Sequence, residues 1–121
     1  MGLGRRRFGT IVSILTVSIV VGGCTSPTLP LPPPADPSIA KAPTDGHVLL
    51  SSAGGADPNA IIVVFNRNPA ISREDRVSAT QADERGSWVV DVVASTGDIL
   101  DITQQIDTER SPSTTITVPA L

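Results

Sequence analysis

Residues Gly46 to Leu121 predict an all-β fold, a single antiparallel sandwich of about six to seven strands. Three observations carry this expectation. No stretch of the region sustains a helical period, and its apolar residues come either in short runs or in strict alternation. Turn chemistry rich in Gly, Asp, Asn and Pro recurs between those runs.

The first strand is read at His47-Val48-Leu49-Leu50-Ser51, and Gly54-Gly55-Ala56-Asp57-Pro58-Asn59 then turns the chain. Ala60 to Phe65 is an unbroken run rich in β-branched residues and reads as a central strand. Asn66 to Arg76 is a polar loop containing Pro69, after which Val77 to Ala82 alternates. Asp83-Glu84-Arg85-Gly86 makes a tight turn into Ser87 to Ala94. In that strand Trp88, Val90, Val92 and Ala94 share one face, opposite Ser87 and Asp91. Trp88 is therefore expected to be a dominant core residue.

After the Ser95-Thr96-Gly97-Asp98 turn, Leu100, Ile102 and Ile106 share a face opposite Asp101, Thr103 and Gln105. A last strand, Ser113 to Pro119, points Ile116 and Val118 inward and Thr115 and Thr117 outward. A domain of this size buries only about 60 to 65 percent of the surface its unfolded chain exposes, so its stability margin is modest.

Upstream of the sandwich the composition is different. Residues 25–45 contain seven prolines: Pro27, Pro30, Pro32, Pro33, Pro34, Pro37 and Pro43. Proline fixes φ and removes a donor, which favours polyproline II over helix or sheet pairing. The segment 24–45 is accordingly expected to be a disordered tether, reaching roughly 60 Å at about 3.1 Å per residue. Before it, Arg5, Arg6 and Arg7 precede an apolar run, Phe8 to Val21, of 14 residues. A spanning helix needs about 20 apolar residues, so residues 1–23 read as an export signal rather than a membrane anchor.

The run ends in Val21-Gly22-Gly23-Cys24, an aliphatic residue, two small residues and a cysteine. This resembles the lipobox of bacterial lipoproteins. The resemblance implies recognition of Val21, Gly22 and Gly23 by the dedicated signal peptidase, a thioether-linked diacylglycerol on Cys24, and acylation of the new amino terminus. Two or three lipid chains, at about 0.8 kcal/mol per buried methylene, make such attachment durable. Thr25 follows, rather than the Asp that retains enteric lipoproteins at the inner membrane, so the outer membrane is the expected address. Arg5-Arg6-Arg7-Phe8 also resembles part of a twin-arginine export signal; Gly9 departs from that pattern, and ordinary secretion is the expected route.

Within the domain, Gly55-Ala56-Asp57-Pro58-Asn59-Ala60, Ala82 to Trp88, Gly97-Asp98-Ile99-Leu100, and Ser111 with Thr117-Val118-Pro119 resemble small bacterial immunoglobulin-like and carboxypeptidase-regulatory-like domains. The resemblance implies an immunoglobulin-like or prealbumin-like sandwich. It also implies a spacer, stalk, adhesive or carbohydrate-contacting role rather than an enzymatic one.

Charge and composition narrow the function further. Removing residues 1–23 leaves 98 residues with six basic and twelve acidic groups, a formal charge of −6 against −3 for the whole chain. Phosphate neutralisation by Lys and Arg supplies most nucleic-acid affinity, so no nucleic-acid partner is expected. The only aromatic residues are Phe8, Phe65 and Trp88, too few for a platform that stacks bases or sugars. With one cysteine there is no internal disulfide. His47 is the sole histidine, and no serine lies in a nucleophile-elbow pattern, so neither a Ser-His-Asp device nor a zinc site is expected, and no cofactor.

Two candidate sites remain. Asp83, Glu84 and Asp98 are acidic turn residues that could gather around Ca²⁺. The Asn66 to Arg76 loop, with Asn66, Arg67, Arg73 and Arg76, is the longest irregular segment and a candidate contact surface. The expected function is a membrane-anchored, non-enzymatic module that meets a protein partner of the cell envelope. The alternative is a module that binds envelope glycan or Ca²⁺.

Overall fold

The computed structural model describes residues 30–121. The expected export signal, residues 1–23, and the Val21-Gly22-Gly23-Cys24 segment lie outside these residues. Among the described residues eight strands are formed: β1 (Ser38–Lys41), β2 (His47–Ser52), β3 (Ile61–Asn66), β4 (Val77–Gln81), β5 (Trp88–Val93), β6 (Ile99–Ile106), β7 (Glu109–Arg110) and β8 (Thr114–Thr117). They make two antiparallel sheets, β1-β2-β5 and β4-β3-β6-β7, with β8 also paired to β6. The chain crosses between sheets from β2 to β3, from β4 to β5 and from β5 to β6. This is the all-β antiparallel sandwich that the alternation predicts.

The core follows the period of two. β5 turns Trp88, Val90 and Val92 inward, with Ala94 continuing the series; β6 turns Leu100 and Ile102 inward. On the last strand Ile116 packs against the core and Val118 is buried, while Thr115 and Thr117 face out. Trp88 is 5% exposed, as expected of a core residue. At about 25 cal/mol per Å² of apolar surface removed from water, such a side chain is among the largest single contributors to the fold.

Three boundaries differ from the sequence reading. The folded unit begins well before Gly46, because β1 lies inside the segment read as tether and pairs with β2, Ser38 opposite Ser51 and Lys41 opposite Val48. The physical reason is local: Ser38-Ile39-Ala40-Lys41 is the one proline-free stretch between Pro37 and Pro43, and Ile39 packs against the core. The central strand is Ile61–Asn66 rather than Ala60 to Phe65, and only one face is covered, leaving Ile61 and Phe65 each 40% exposed. The final strand is preceded by a separate two-residue strand, β7, and Pro112, which has no N–H to donate, lies in the break.

Gly86 shows why the Asp83–Gly86 turn needs its glycine. Its φ is +79°, and a Cβ there would lie 1.9 Å from the Ala56 carbonyl oxygen. The turn is held from the other side by Asp83, whose Oδ1 accepts the backbone N–H groups of Arg85 (2.8 Å) and Ser87 (2.9 Å).

Candidate functional site

β3 and β6 both carry a polar residue where the alternation calls for an apolar one. The inward series of β3 is Ile62, Val64, Asn66; that of β6 is Leu100, Ile102, Gln104. Asn66 and Gln104 are 0% and 1% exposed. Each comes late in its strand, and the two strands are antiparallel, Ile62 opposite Gln104 and Asn66 opposite Leu100. The two amides therefore sit at opposite ends of the sandwich. A buried polar group must find partners or cost about 1–3 kcal/mol, so each amide organises the irregular chain around it.

At the first end, the Gln104 carbonyl Oε1 accepts the Asp57 N–H (2.8 Å) and its Nε2 donates to the Pro32 carbonyl (2.7 Å). Its backbone N–H donates to the Ser111 hydroxyl (2.9 Å), which in turn donates to the Pro112 carbonyl (2.8 Å). The Thr114 hydroxyl donates to the Pro34 carbonyl, and Ala35 N–H donates to the Gly55 carbonyl (2.9 Å). Leu31 and Pro34 are buried. The proline-rich segment is thus clasped onto the sandwich from residue 31 onward. Proline offers no donor but keeps its carbonyl, and those carbonyls are what the clasp uses.

This end also holds an open cleft of about 550 Å³, lined by Ser38, Ser51, Ser52, Thr80, Gln81 and Ser87 around Trp88 and Val89. A cavity of that size falls in the range of small-ligand sites, about 300–1,000 Å³. Among the described residues, the buried Trp88 Nε1 has no hydrogen-bond partner.

At the second end, Asn66 Nδ2 donates to the Val93 carbonyl and to Asp98 Oδ2, both at 3.0 Å. Asp98 Oδ2 also accepts the Ser95 N–H (3.0 Å), and its Oδ1 accepts from Asn68 Nδ2 (2.9 Å). Burial opposes ionisation of Asp98, but the donors of Asn66, Ser95 and Asn68 outweigh it and hold the carboxyl below its ordinary value of 3.8. Nearby, Arg67 forks onto Asp101, Nε to Oδ2 at 2.7 Å and Nη2 to Oδ1 at 2.8 Å. That guanidinium, with the Thr115 hydroxyl (2.7 Å), keeps Asp101 below the usual carboxylate range against the opposing effect of burial. A hollow of about 220 Å³ lies between Arg67, Asn68, Pro69, Gly97, Asp98 and Ile99.

The calcium set does not converge. Asp83 and Glu84 lie in the β4–β5 turn at the Gln104 end, whereas Asp98 lies at the Asn66 end with both oxygens committed to N–H donors. Asp83 is held low by the backbone N–H groups of Ser87 and Arg85, which is turn capping. Among the described residues no group of three or more His, Cys, Asp or Glu is placed to hold a metal ion.

The candidate contact loop is also revised. Asn66 is a buried organiser and presents nothing to a partner. Arg76 folds back onto its own loop, donating to the carbonyls of Ile71 (2.8 Å) and Pro69 (3.0 Å). Arg67 and Arg73 remain exposed, Arg73 at the start of a single 3₁₀ turn, Arg73–Arg76. His47 Nδ1 meets Asp91 Oδ1 at 2.5 Å on the outer face of the three-stranded sheet.

Gln104 and Ser111 were missed by the sequence reading, although Gln104 carried a signal: a polar residue in the inward register after Leu100 and Ile102. Comparison of the chain with protein-family models, with curated proteins and with solved structures finds no match in any of the three.

Proposed function

We propose that the chain is a lipid-anchored protein of the bacterial cell envelope whose sandwich is a non-enzymatic interaction module. The observation that carries this reading is the order Arg5-Arg6-Arg7, apolar run, Val21-Gly22-Gly23-Cys24. The anchor is lipid on Cys24, the expected site is the outer membrane, and the expected partner is another envelope protein, met through the exposed Arg67 and Arg73 side of the β3–β4 loop. Metabolic labelling with a fatty acid tests the anchor: the wild-type chain should carry label and Cys24→Ser should carry none. Label persisting in the variant would remove the reading. Crosslinking from Arg73 in intact cells tests the partner, and a ladder of unrelated products would count against a specific one.

A second reading is favoured by one observation, the cleft at the Gln104 end with its four serines, Thr80 and Gln81. Hydroxyl and amide groups around an apolar floor suit a glycan. Saturable binding of envelope glycan fragments, lost in Gln81→Ala, would support it; no binding at millimolar glycan would end it.

A further inference from the structure

Resting on the lipid anchor at Cys24, we infer that the clasped proline-rich segment fixes which end of the sandwich faces the lipid surface. The segment is held by the Gln104 amide at Pro32, the Thr114 hydroxyl at Pro34 and the Gly55 carbonyl at Ala35. Leu31 is already buried. Between Cys24 and the folded unit there are therefore only the seven steps to Leu31, at most about 25 Å when fully extended. A tether ending at Asp45 would have reached roughly 60 Å at about 3.1 Å per residue; this one holds the clasped end within about 25 Å of the lipid.

The membrane-facing end is the one that carries the Asp83–Gly86 turn, the β6–β7 turn at Asp107 and the cleft. Its charges, Asp36, Asp57, Asp83, Glu84, Asp107 and Glu109 against Arg85 and Arg110, are mostly acidic, so it stands beside an anionic lipid surface without adhering to it. The opposite end, with Arg67, Arg73 and the Gly97 turn, is carried outward by the length of the sheet. β6 alone has eight residues, about 26 Å at about 3.3 Å per residue. The partner surface is consequently the distal end, and the lipid surface is the neighbour of the proximal one.

The anchor itself makes the test clean, since lipid occupies the only native thiol. Glu84→Cys and Arg73→Cys, both exposed, each give the acylated full-length protein one free thiol for a fluorescent donor. The two proteins are reconstituted into phosphatidylcholine vesicles containing headgroup-labelled acceptor lipid. Energy transfer should be several-fold stronger from position 84 than from position 73. In Gln104→Leu, which removes the bond to Pro32, the contrast should shrink; if that variant does not fold, Thr114→Val removes the bond to Pro34 instead. Equal transfer from both positions, or stronger transfer from 73, in protein that floats with the vesicles overturns the orientation and leaves the anchor standing. Protein that fails to float overturns the anchor, and the orientation with it.

Discussion

The two ends of this sandwich are closed by the same device with different chemistry. At one end the neutral amide of Gln104 joins Asp57 and Pro32; at the other, Asn66 joins Val93 to an ionised Asp98. Both are buried amides set in the inward register of adjacent strands, so the difference lies in what each amide meets. A neutral closure is indifferent to pH, and a closure through a carboxylate held below its ordinary value is not. The Asn66 closure is thus loosened by acid and the Gln104 amide closure is not, although the Asp83 turn beside Gln104, capped by a carboxylate also held below its ordinary value, has an acid sensitivity of its own.

The largest expected effect falls on the Gln104 end. Trp88→Ala, at the start of β5 beside that end, should cost about 3–5 kcal/mol in a denaturant titration. A loss below about 1 kcal/mol would mean the cleft collapses to fill the space and that this end is softer than its packing suggests. Gly86→Ala comes next, at about 2–3 kcal/mol, because it combines a φ of +79° with contact against the Ala56 carbonyl. Unchanged stability there would show that the turn can shift without disturbing Asp83.

Gln104→Leu should cost about 1–3 kcal/mol by orphaning the Asp57 N–H and the Pro32 carbonyl. Amide exchange should accelerate at Asp57 and stay unchanged at Ser95, which belongs to the other end. Acceleration at both would mean that the ends open together and the comparison fails.

Acid gives the smallest and most specific effect. Asp98 has a folded value below 3.8, so the unfolded chain takes up its proton first. Its contribution is complete above the ordinary carboxylate range and is lost as pH falls below about 4, through the folded value. Asp98→Asn should flatten part of that decline by lowering stability at neutral pH, because it removes the ionised acceptor and turns an amide N–H toward one of the donors of Asn66, Ser95 and Asn68; Asp83 and Asp101, also lowered, supply the remainder. An identical acid profile in the variant would shift the acid sensitivity to those two groups.

Much of the fold was legible because the period of two is a local property. Trp88-Val90-Val92 and Leu100-Ile102 announce their face without reference to the rest of the chain. The interruptions of that pattern were only partly legible: Gln104 follows Leu100 and Ile102 in the inward register, whereas Asn66, beside Arg67 and Asn68, reads as the start of the polar loop. What was not legible is where their bonds go. Gln104 reaches Pro32 across 72 residues, and no local pattern records a carbonyl acceptor in a segment whose composition reads as spacer. The same limit explains the calcium candidates: Asp83, Glu84 and Asp98 are acidic turn residues in sequence, and only the strand order shows that their turns lie at opposite ends.

Trp88 has a further consequence. It is the only tryptophan, the chain has no tyrosine, and the indole is buried. Light absorbed at the red edge of the protein band therefore goes to a single site beside the Gln104 end. Emission should be blue while that end is closed and move to longer wavelength when water enters. The colour of one residue then distinguishes loss of the Gln104 end from loosening of the Asn66 end, without any label added.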